Sequence, residues 1–333
     1  MQDEYDASEK YWDGRTVLIT GGLGFIGSNL AHRLVDLGAD VTLVDSLVPE
    51  YGGSLFNIQG IEKRVRTNIS DIRDPYSLRQ LISDREVIFN LAGQTSHLDS
   101  MEDPFTDLQI NCTSQLSLLE ICRKHNPGVR IVFASTRQVY GRPKYVPVDE
   151  GHGLHPVDVN GVNKLAGEHY HTLYNDVYGI RTTALRLTNT YGPRMRVKDA
   201  RQTFLGIWVR FAIEGRPIEV WGGEQLRDYT YIDDCVQALL CAARAEDAAG
   251  KVYNIGGDQP ASLTETAAAL VALSGGTYEV RAFPAERKRI DIGNYYADDR
   301  SFREATGWRP EIGLTEGLRR TLDYYREHLP HYL

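Results

Sequence analysis

The sequence predicts an α/β fold: a doubly wound parallel sheet with a smaller α/β lobe interleaved toward the C-terminus. Three observations predict it. Short apolar runs of the buried-strand type alternate with amphipathic stretches of helical period, the first run enters a turn holding three glycines, and the regularity loosens after residue 188. A chain of 333 residues can bury one large core and a second, smaller lobe.

Thr16, Val17, Leu18, Ile19 and Thr20 form the first strand, followed by Gly21, Gly24 and Gly27 and an amphipathic segment reaching about Leu37. This is a strand, a tight turn and a helix arranged as a phosphate cradle. Gly21 allows the turn, Gly24 lets backbone approach a pyrophosphate, and Gly27 lets the helix pack close to the strand. The helix N-terminus adds free N–H groups and a partial positive charge. The next strand, 40–45, ends in Asp45, and an acid about 20 residues beyond such glycines takes the adenosine ribose hydroxyls. A carboxylate there repels a 2′-phosphate, so the expected cofactor is NAD rather than NADP.

A loop rich in Gly, Ser and Asn leads to a strand near Val65, and Asp71 to Pro75 opens a helix. Residues 87–93 form another buried-type strand ending in a small-residue turn, where a cofactor can lie against backbone. Pro104 begins a long helix carrying Leu108, Cys112, Leu116 and Leu119, stopped by Asn126, Pro127 and Gly128. The next strand, 130–134, carries Ser135 and Thr136 at its C-terminal end, where open α/β sheets place their sites. A helix over 161–177 and a strand over 181–187 follow. Beyond 188 come a basic, turn-like run around Arg194 and Arg196, a helix over 203–214 and a short strand around Val220. A helix over 232–245 and a strand over 252–255 return to the first domain, and two more helical stretches close the chain. The expected division is 1–187 as a dinucleotide-binding domain with a return segment at 229–256, and 188–228 with 257–333 as the second lobe.

The composition, 42% hydrophobic and 25% charged, is that of a soluble globular protein, and no apolar run approaches a membrane span. The acidic leader of residues 1–6 lacks an apolar signal core, so a cytoplasmic location is expected. A formal charge of −8 argues against general nucleic-acid binding. Cys112, Cys122, Cys235 and Cys241 show no C-x-x-C spacing, so no metal site and no redox pair is expected.

Several landmarks coincide over nearly the whole chain: Gly21-Gly22-Leu23-Gly24-Phe25-Ile26-Gly27, Asn90-Leu91-Ala92-Gly93-Gln94, Ser135-Thr136-Arg137-Gln138-Val139-Tyr140-Gly141, Asn163-Lys164-Leu165-Ala166-Gly167-Glu168, Arg186-Leu187-Thr188-Asn189, Arg227-Asp228-Tyr229 and Gly307-Trp308-Arg309-Pro310. Together they resemble the extended short-chain dehydrogenase/reductase family of nucleotide-sugar epimerases and dehydratases. The resemblance implies a Rossmann-type NAD domain, a nucleotide-sugar-binding second lobe, and chemistry by transient oxidation, in which bound NAD takes hydride from a sugar carbon and returns it. It implies cofactor contacts at Gly21, Gly24, Phe25, Ile26, Gly27, Asp45, Ser46, Asp71, Ile72, Leu91, Ala92, Gly93, Asn111 and Lys164. It implies a homodimer formed through a four-helix bundle from the helix after Pro104 and the helix after Asn160.

Family members use Tyr-x-x-x-Lys plus a Ser or Thr. Here the lysine is Lys164 and the hydroxyl is Thr136, but the tyrosine position holds Asn160, one helical turn before Lys164. An amide orients a hydroxyl but does not ionise as a base. Three explanations stand: another base, a binding protein without chemistry, or a substitution made to trap a ligand. Lys164 in its neutral form, His152, His155 and Asp158 are the candidate substitutes. Sugar 4,6-dehydratases of this family carry Thr-Asp-Glu where this chain has Thr136, Arg137 and Gln138. The loss of both acids argues against dehydration and for epimerisation, most simply at C4; another enzyme of the group, a decarboxylase, dehydratase or net oxidoreductase, or a non-catalytic nucleotide-sugar-binding protein stays as the alternative. Arg137 can bind a carboxylate bidentately, which raises a UDP-uronate as substrate. The resemblance points to Asn189 and Arg227 at the pyrophosphate, with Lys288 and Asp291 as further substrate contacts and Phe204 beside the base. Arg194, Arg196, Lys198 and Arg201 form a basic stretch able to close over the same phosphates.

Overall fold

The computed structural model describes residues 10–283 and 291–333. Seven parallel strands form its main sheet: β1 (Thr16–Thr20), β2 (Asp40–Asp45), β3 (Val65–Ile69), β4 (Val87–Asn90), β5 (Arg130–Thr136), β6 (Arg181–Leu187) and β7 (Val252–Asn254), in the spatial order β7-β6-β5-β4-β1-β2-β3. The strand order reverses direction at β1, between β2 and β4. A crevice therefore opens at the C-terminal ends of β1 and β4. Thr20 ties its floor together: its hydroxyl donates to Asn90 Oδ1 at 2.9 Å and accepts the Leu91 and Ala92 N–H groups, each at 3.1 Å.

Both faces of the sheet are covered, which is why its strands read as continuous apolar runs rather than alternating ones. Val17, Ile19, Val41 and Leu43 face one core together with helix α1 (Phe25–Asp36) and the helix Ile232–Arg244. Leu18, Val44, Ile88 and Ile131 face the other, with the helices Pro75–Ile82 and Ser114–His125. Each such side chain contributes about 1.5–3 kcal/mol when fully buried.

Two helices position the far side of the crevice. The short α2 (His97–Glu102) follows β4, its N-terminus capped by the Ser96 hydroxyl. The long α3 (Val159–Tyr178) is capped by Asp158, whose Oδ1 accepts the Gly161 N–H at 2.7 Å, and ends on Gly179 in a left-handed turn. A buried ion pair locks α3 to β6: Arg186 donates to Glu168 at 2.7 Å, and Ser135 donates to the same carboxylate.

Beyond β6 the chain also forms small two-stranded sheets. Ile218–Trp221 pairs in parallel with Tyr278–Arg281, and Asn189–Tyr191 with Tyr229–Tyr231. Three points differ from the sequence reading. Among the described residues three helices, not two, close the chain: Leu263–Ser274, Arg300–Thr306 and Leu314–His328. The middle one has only seven residues, too few to show a period. Tyr278–Arg281 is a strand whose mostly exposed residues give no apolar signal. The helix begun by Pro104 is broken by a π turn at Gln109–Thr113, where the spacing slips by one residue.

Candidate active site

The glycine turn is shaped by close approach. Gly21 has φ of 68°, and a Cβ on it would lie 3.0 Å from the backbone of Ala92. A Cβ on Gly27 would collide with the carbonyl oxygen of Gly21, so α1 packs on the turn only because residue 27 has no side chain. The first turn of α1 has no side-chain cap and no acid. Its N–H groups are left for an anion.

One cleft brings together Gly21, Gly24, Phe25, Ile26, Gly27, Asp45, Ser46, Asp71, Ile72, Leu91, Ala92 and Gly93. It also includes Val48, Tyr51, Gly53 and Arg73, which the sequence reading did not select. Asp45 accepts the Leu47 N–H at 2.9 Å and the Leu23 N–H at 3.1 Å. Burial nevertheless outweighs these amides and raises its carboxyl above the ordinary range. Gly53 stands close enough that a Cβ would lie 2.9 Å from Asp45 Oδ1. Asp71 is gripped by Arg73, whose hydrogen bonds hold its carboxyl below the usual value.

At the other end of the cleft, Asn111 Oδ1 and Lys164 Nζ each lie 2.9 Å from where a Gly93 Cβ would be. Asn111 Oδ1 is buried without a hydrogen-bond partner. Lys164 donates to the Ala134 carbonyl at 3.1 Å and lies 5.0 Å from the Phe133 ring centre. Burial lowers its pKa to about 8, against the opposing pull of Asp107 and Glu168. An orphaned acceptor and a cation beside a bare backbone suit the hydroxyls of a ribose.

Asn160 is buried, at 2% exposure, and its amide NH2 is engaged. Nδ2 donates to the Gln94 carbonyl at 2.7 Å and to Asp107 Oδ2 at 3.1 Å. Asp107 also accepts from Asn111 at 3.0 Å and from Asn163 at 2.7 Å, which makes a closed polar cluster between α3 and the segment after β4. Asn160 has neither a proton to lose nor a free donor. It is a clamp.

Thr136 Oγ1 accepts the Gln138 N–H at 3.3 Å, which leaves its own hydrogen available to donate. Arg137 turns toward the second lobe: Nη2 donates to Asn189 Oδ1 at 3.1 Å and the guanidinium lies 5.5 Å from the Tyr295 ring centre, while Nη1 is buried without a partner. Burial, with Arg227 nearby, lowers its pKa to about 10. Asn189 in turn donates to the Asp228 carbonyl at 2.9 Å. Arg227 is held by Asp291 at 3.1 Å and by the Gly293 carbonyl, so Asp291 serves the arginine rather than standing free. Phe204 packs edge-on against Trp208 and Tyr229. Lys288 and its neighbour Arg289 lie outside the described residues.

Other candidates are committed elsewhere. His152 is buried and accepts the Lys144 N–H at 2.9 Å between Tyr140 and Tyr145. Arg194 donates to the Asn57 carbonyl and to Asn29, and Arg196 to Asp199 and the Pro49 carbonyl. The basic stretch thus staples loops around the NAD-side glycine turn.

One residue escaped the sequence reading. His97 Nε2 lies 2.9 Å from Gln138 Nε2, and His97 Nδ1 lies 2.9 Å from Asp158 Oδ2, a close approach outside linear hydrogen-bond geometry. Its only signal in the sequence is its place in the loop after a central strand, at the sheet end where sites gather.

The model of the NAD dependent epimerase/dehydratase family matches residues 17–256. The UDP-glucose 4-epimerase of Mycolicibacterium smegmatis is 30% identical over 316 residues, covering 93% of this chain and 98% of that protein. The solved structure of the Thermotoga maritima UDP-glucose 4-epimerase with UDP-glucose superposes with a TM-score of 0.85 at 30% identity, over 94% of this chain and 99% of that one. That of the Bacillus cereus UDP-glucuronic acid 4-epimerase with UDP-glucuronic acid and NAD does so at 0.83 and 28%, over the same shares.

Proposed function

Because the chain belongs to the NAD-dependent epimerase/dehydratase family, with NAD as its cofactor, we propose that it is a nucleotide-sugar epimerase that inverts a sugar carbon, most simply C4 of a UDP-sugar, through a transient ketone. One observation carries this reading. The dinucleotide cradle at the C-terminal ends of β1 and β4 and a basic cluster just past the C-terminal end of β5, with Arg137 bonded to Asn189 and Arg227 nearby, lie at the same end of the sheet. The first suits NAD and the second suits a diphosphate.

When bound, NAD supplies reversible hydride acceptance. Asp45 receives the adenosine ribose, the α1 N-terminus the pyrophosphate, and Asn111 with Lys164 the nicotinamide ribose. Thr136 donates its free hydrogen to the sugar oxygen and fixes its position. Arg137 and Gln138, standing where dehydratases carry acids, offer no carboxyl to eliminate water, which supports epimerisation over dehydration.

The unpartnered Nη1 of Arg137 favours a finer reading, a UDP-uronate whose carboxylate pairs with it. A proton NMR time course with UDP-, CDP-, GDP- and dTDP-sugars, UDP-glucuronate included, tests both. A new anomeric signal without added cofactor is expected; turnover of a neutral sugar with none of its uronate removes the finer reading, and silence across the panel with saturable binding of one sugar nucleotide removes the epimerase. We further infer a homodimer through the exposed apolar face of Phe105, Leu108, Val162, Leu173 and Val177; a monomer at working concentration contradicts it.

A further inference from the structure

Removing hydride from a sugar carbinol requires an acceptor for the hydroxyl proton, and the clamp made by Asn160 provides none. We infer that His97, oriented by Asp158, is the acid–base residue of this site; the inference rests on the epimerase reading.

Two close approaches bracket the imidazole, a hydrogen bond at Nε2 and, at Nδ1, a charge approach outside linear hydrogen-bond geometry. Asp158 is buried and fixed at the head of α3 through the Gly161 N–H, and its second oxygen lies 2.9 Å from His97 Nδ1. A carboxylate in that place favours the tautomer with hydrogen on Nδ1 and the lone pair on Nε2. Nε2 meets the carboxamide of Gln138, two residues beyond Thr136, at 2.9 Å. The rest of the ring is accessible, with the side chain 36% exposed. Gln138 suits both protonation states. Its NH2 donates to a neutral Nε2, and a turn of the amide presents Oε1, now buried without a partner, to an imidazolium N–H. A glutamate at the same place would pin the imidazole in its charged form.

Burial pushes the Asp158 carboxyl up, but His97, the Gly161 amide and Arg137 outweigh it and keep it below the ordinary range, so Asp158 stays an anion. Asp99, two residues along α2, is itself engaged by Arg201 at 3.7 Å. The competing bases are placed otherwise: Lys164 against the Ala134 carbonyl, His152 on the Lys144 amide.

The step balances. Nε2 takes the hydroxyl proton as the C–O bond becomes a ketone, and the two electrons of the C–H bond would go as hydride to the NAD that Asn111 and Lys164 would hold; on return Nε2 gives the proton back to oxygen while the same hydride would be returned to the other face of the carbon. Sugar and cofactor end at their starting oxidation levels.

The test uses the full chain with its NAD and the sugar-nucleotide panel above. His97→Ala is expected to lower kcat about 100-fold or more with little change in KM, in line with a general base, and added imidazole is expected to restore part of the turnover. His97→Gln, which keeps a bond to Gln138 but cannot take a proton, is expected to be as slow. Near-normal turnover by His97→Gln, or a raised KM with unchanged kcat in His97→Ala, overturns the assignment in favour of positioning. Nitrogen-15 NMR supplies a readout apart from activity: neutral His97 is expected as the Nδ1–H tautomer, with a mixture in Asp158→Asn, and an Nε2–H tautomer in the unaltered protein overturns the assignment. A protein inert on the whole panel overturns the epimerase reading and this inference together, whereas an active protein unaffected by His97→Ala overturns this inference alone.

Discussion

Lys164, which the proposed function assigns to the nicotinamide ribose, should weaken the fold it sits in, and this can be measured. Burial lowers its pKa from 10.5 to about 8. Between those values the unfolded chain holds a proton that the folded chain has lost. Stability therefore rises as pH climbs through that window, and below about pH 8 the folded protein carries the full cost of a buried ammonium, about 3 kcal/mol. Lys164→Met removes the charge at similar volume. It also removes the hydrogen bond to the Ala134 carbonyl, worth about 1 kcal/mol, so the expected gain at pH 7 is about 2 kcal/mol. At pH 9.5, where the unaltered lysine has shed most of its proton, that advantage should shrink by about 2 kcal/mol. Urea unfolding of both proteins at the two pH values, after any resident NAD has been stripped, gives the difference directly, because the other titrating groups are common to both. NAD binding, measured alongside by calorimetry, should be lost or much weakened in the variant. A stability difference that does not change between pH 7 and 9.5, or a variant less stable than the parent at pH 7, refutes the reasoning.

Other outcomes follow from other buried polar groups. Burial pushes the Asp228 carboxyl up to about 7, so the folded state holds a proton that the unfolded state releases near 3.8, and stability should fall as pH rises from about 4 to 7; Asp228→Asn should flatten that slope in a pH series of thermal melts. Glu168→Gln breaks the buried pair with Arg186 and should cost about 3–5 kcal/mol in urea unfolding, by leaving a guanidinium uncompensated. Asn160→Tyr forces a larger ring into a filled site and strips one donor from Asp107, so it should lower stability by about 1–3 kcal/mol, and it should reduce turnover rather than raise it. Asp45→Ala should weaken NAD about 10-fold and narrow its preference over NADP, read by equilibrium dialysis.

The two ends of the cleft differ in how far the sequence could show them. The cradle was legible because its constraints are local. A strand, Gly21, Gly24, Gly27 and an acid at the end of the next strand must sit together once β1 and β2 pair, and the register Thr16 to Asp40 follows from one short helix. The reaction end is set by contacts between distant segments. Gln94 and Asn160 are 66 residues apart, Asp107 and Asn163 are 56 apart, and Gln138 and His97 are 41 apart. Helical spacing placed Asn160 on the same turn-to-turn row as Lys164. It could not show that the amide faces Gln94 and Asp107, because that depends on where the segment after β4 packs. The same limit hid His97. Asp158, a candidate base in the sequence, is the cap of α3, and as the cap the carboxylate acquires a fixed direction, one oxygen on Gly161 and the other toward His97. If His97 is the base, the Asn160 exchange moved proton transfer from one helix, where a tyrosine and a lysine one turn apart share a face, to the seam between α2 and α3. A site on one helix keeps its geometry as long as the helix does. One spanning a seam depends on packing as well, and that gives the buried cluster around Asp107 a use. Its hydrogen bonds to Asn111, Asn160 and Asn163 tie the segment after β4 to α3 and fix the distance that His97 and Asp158 need.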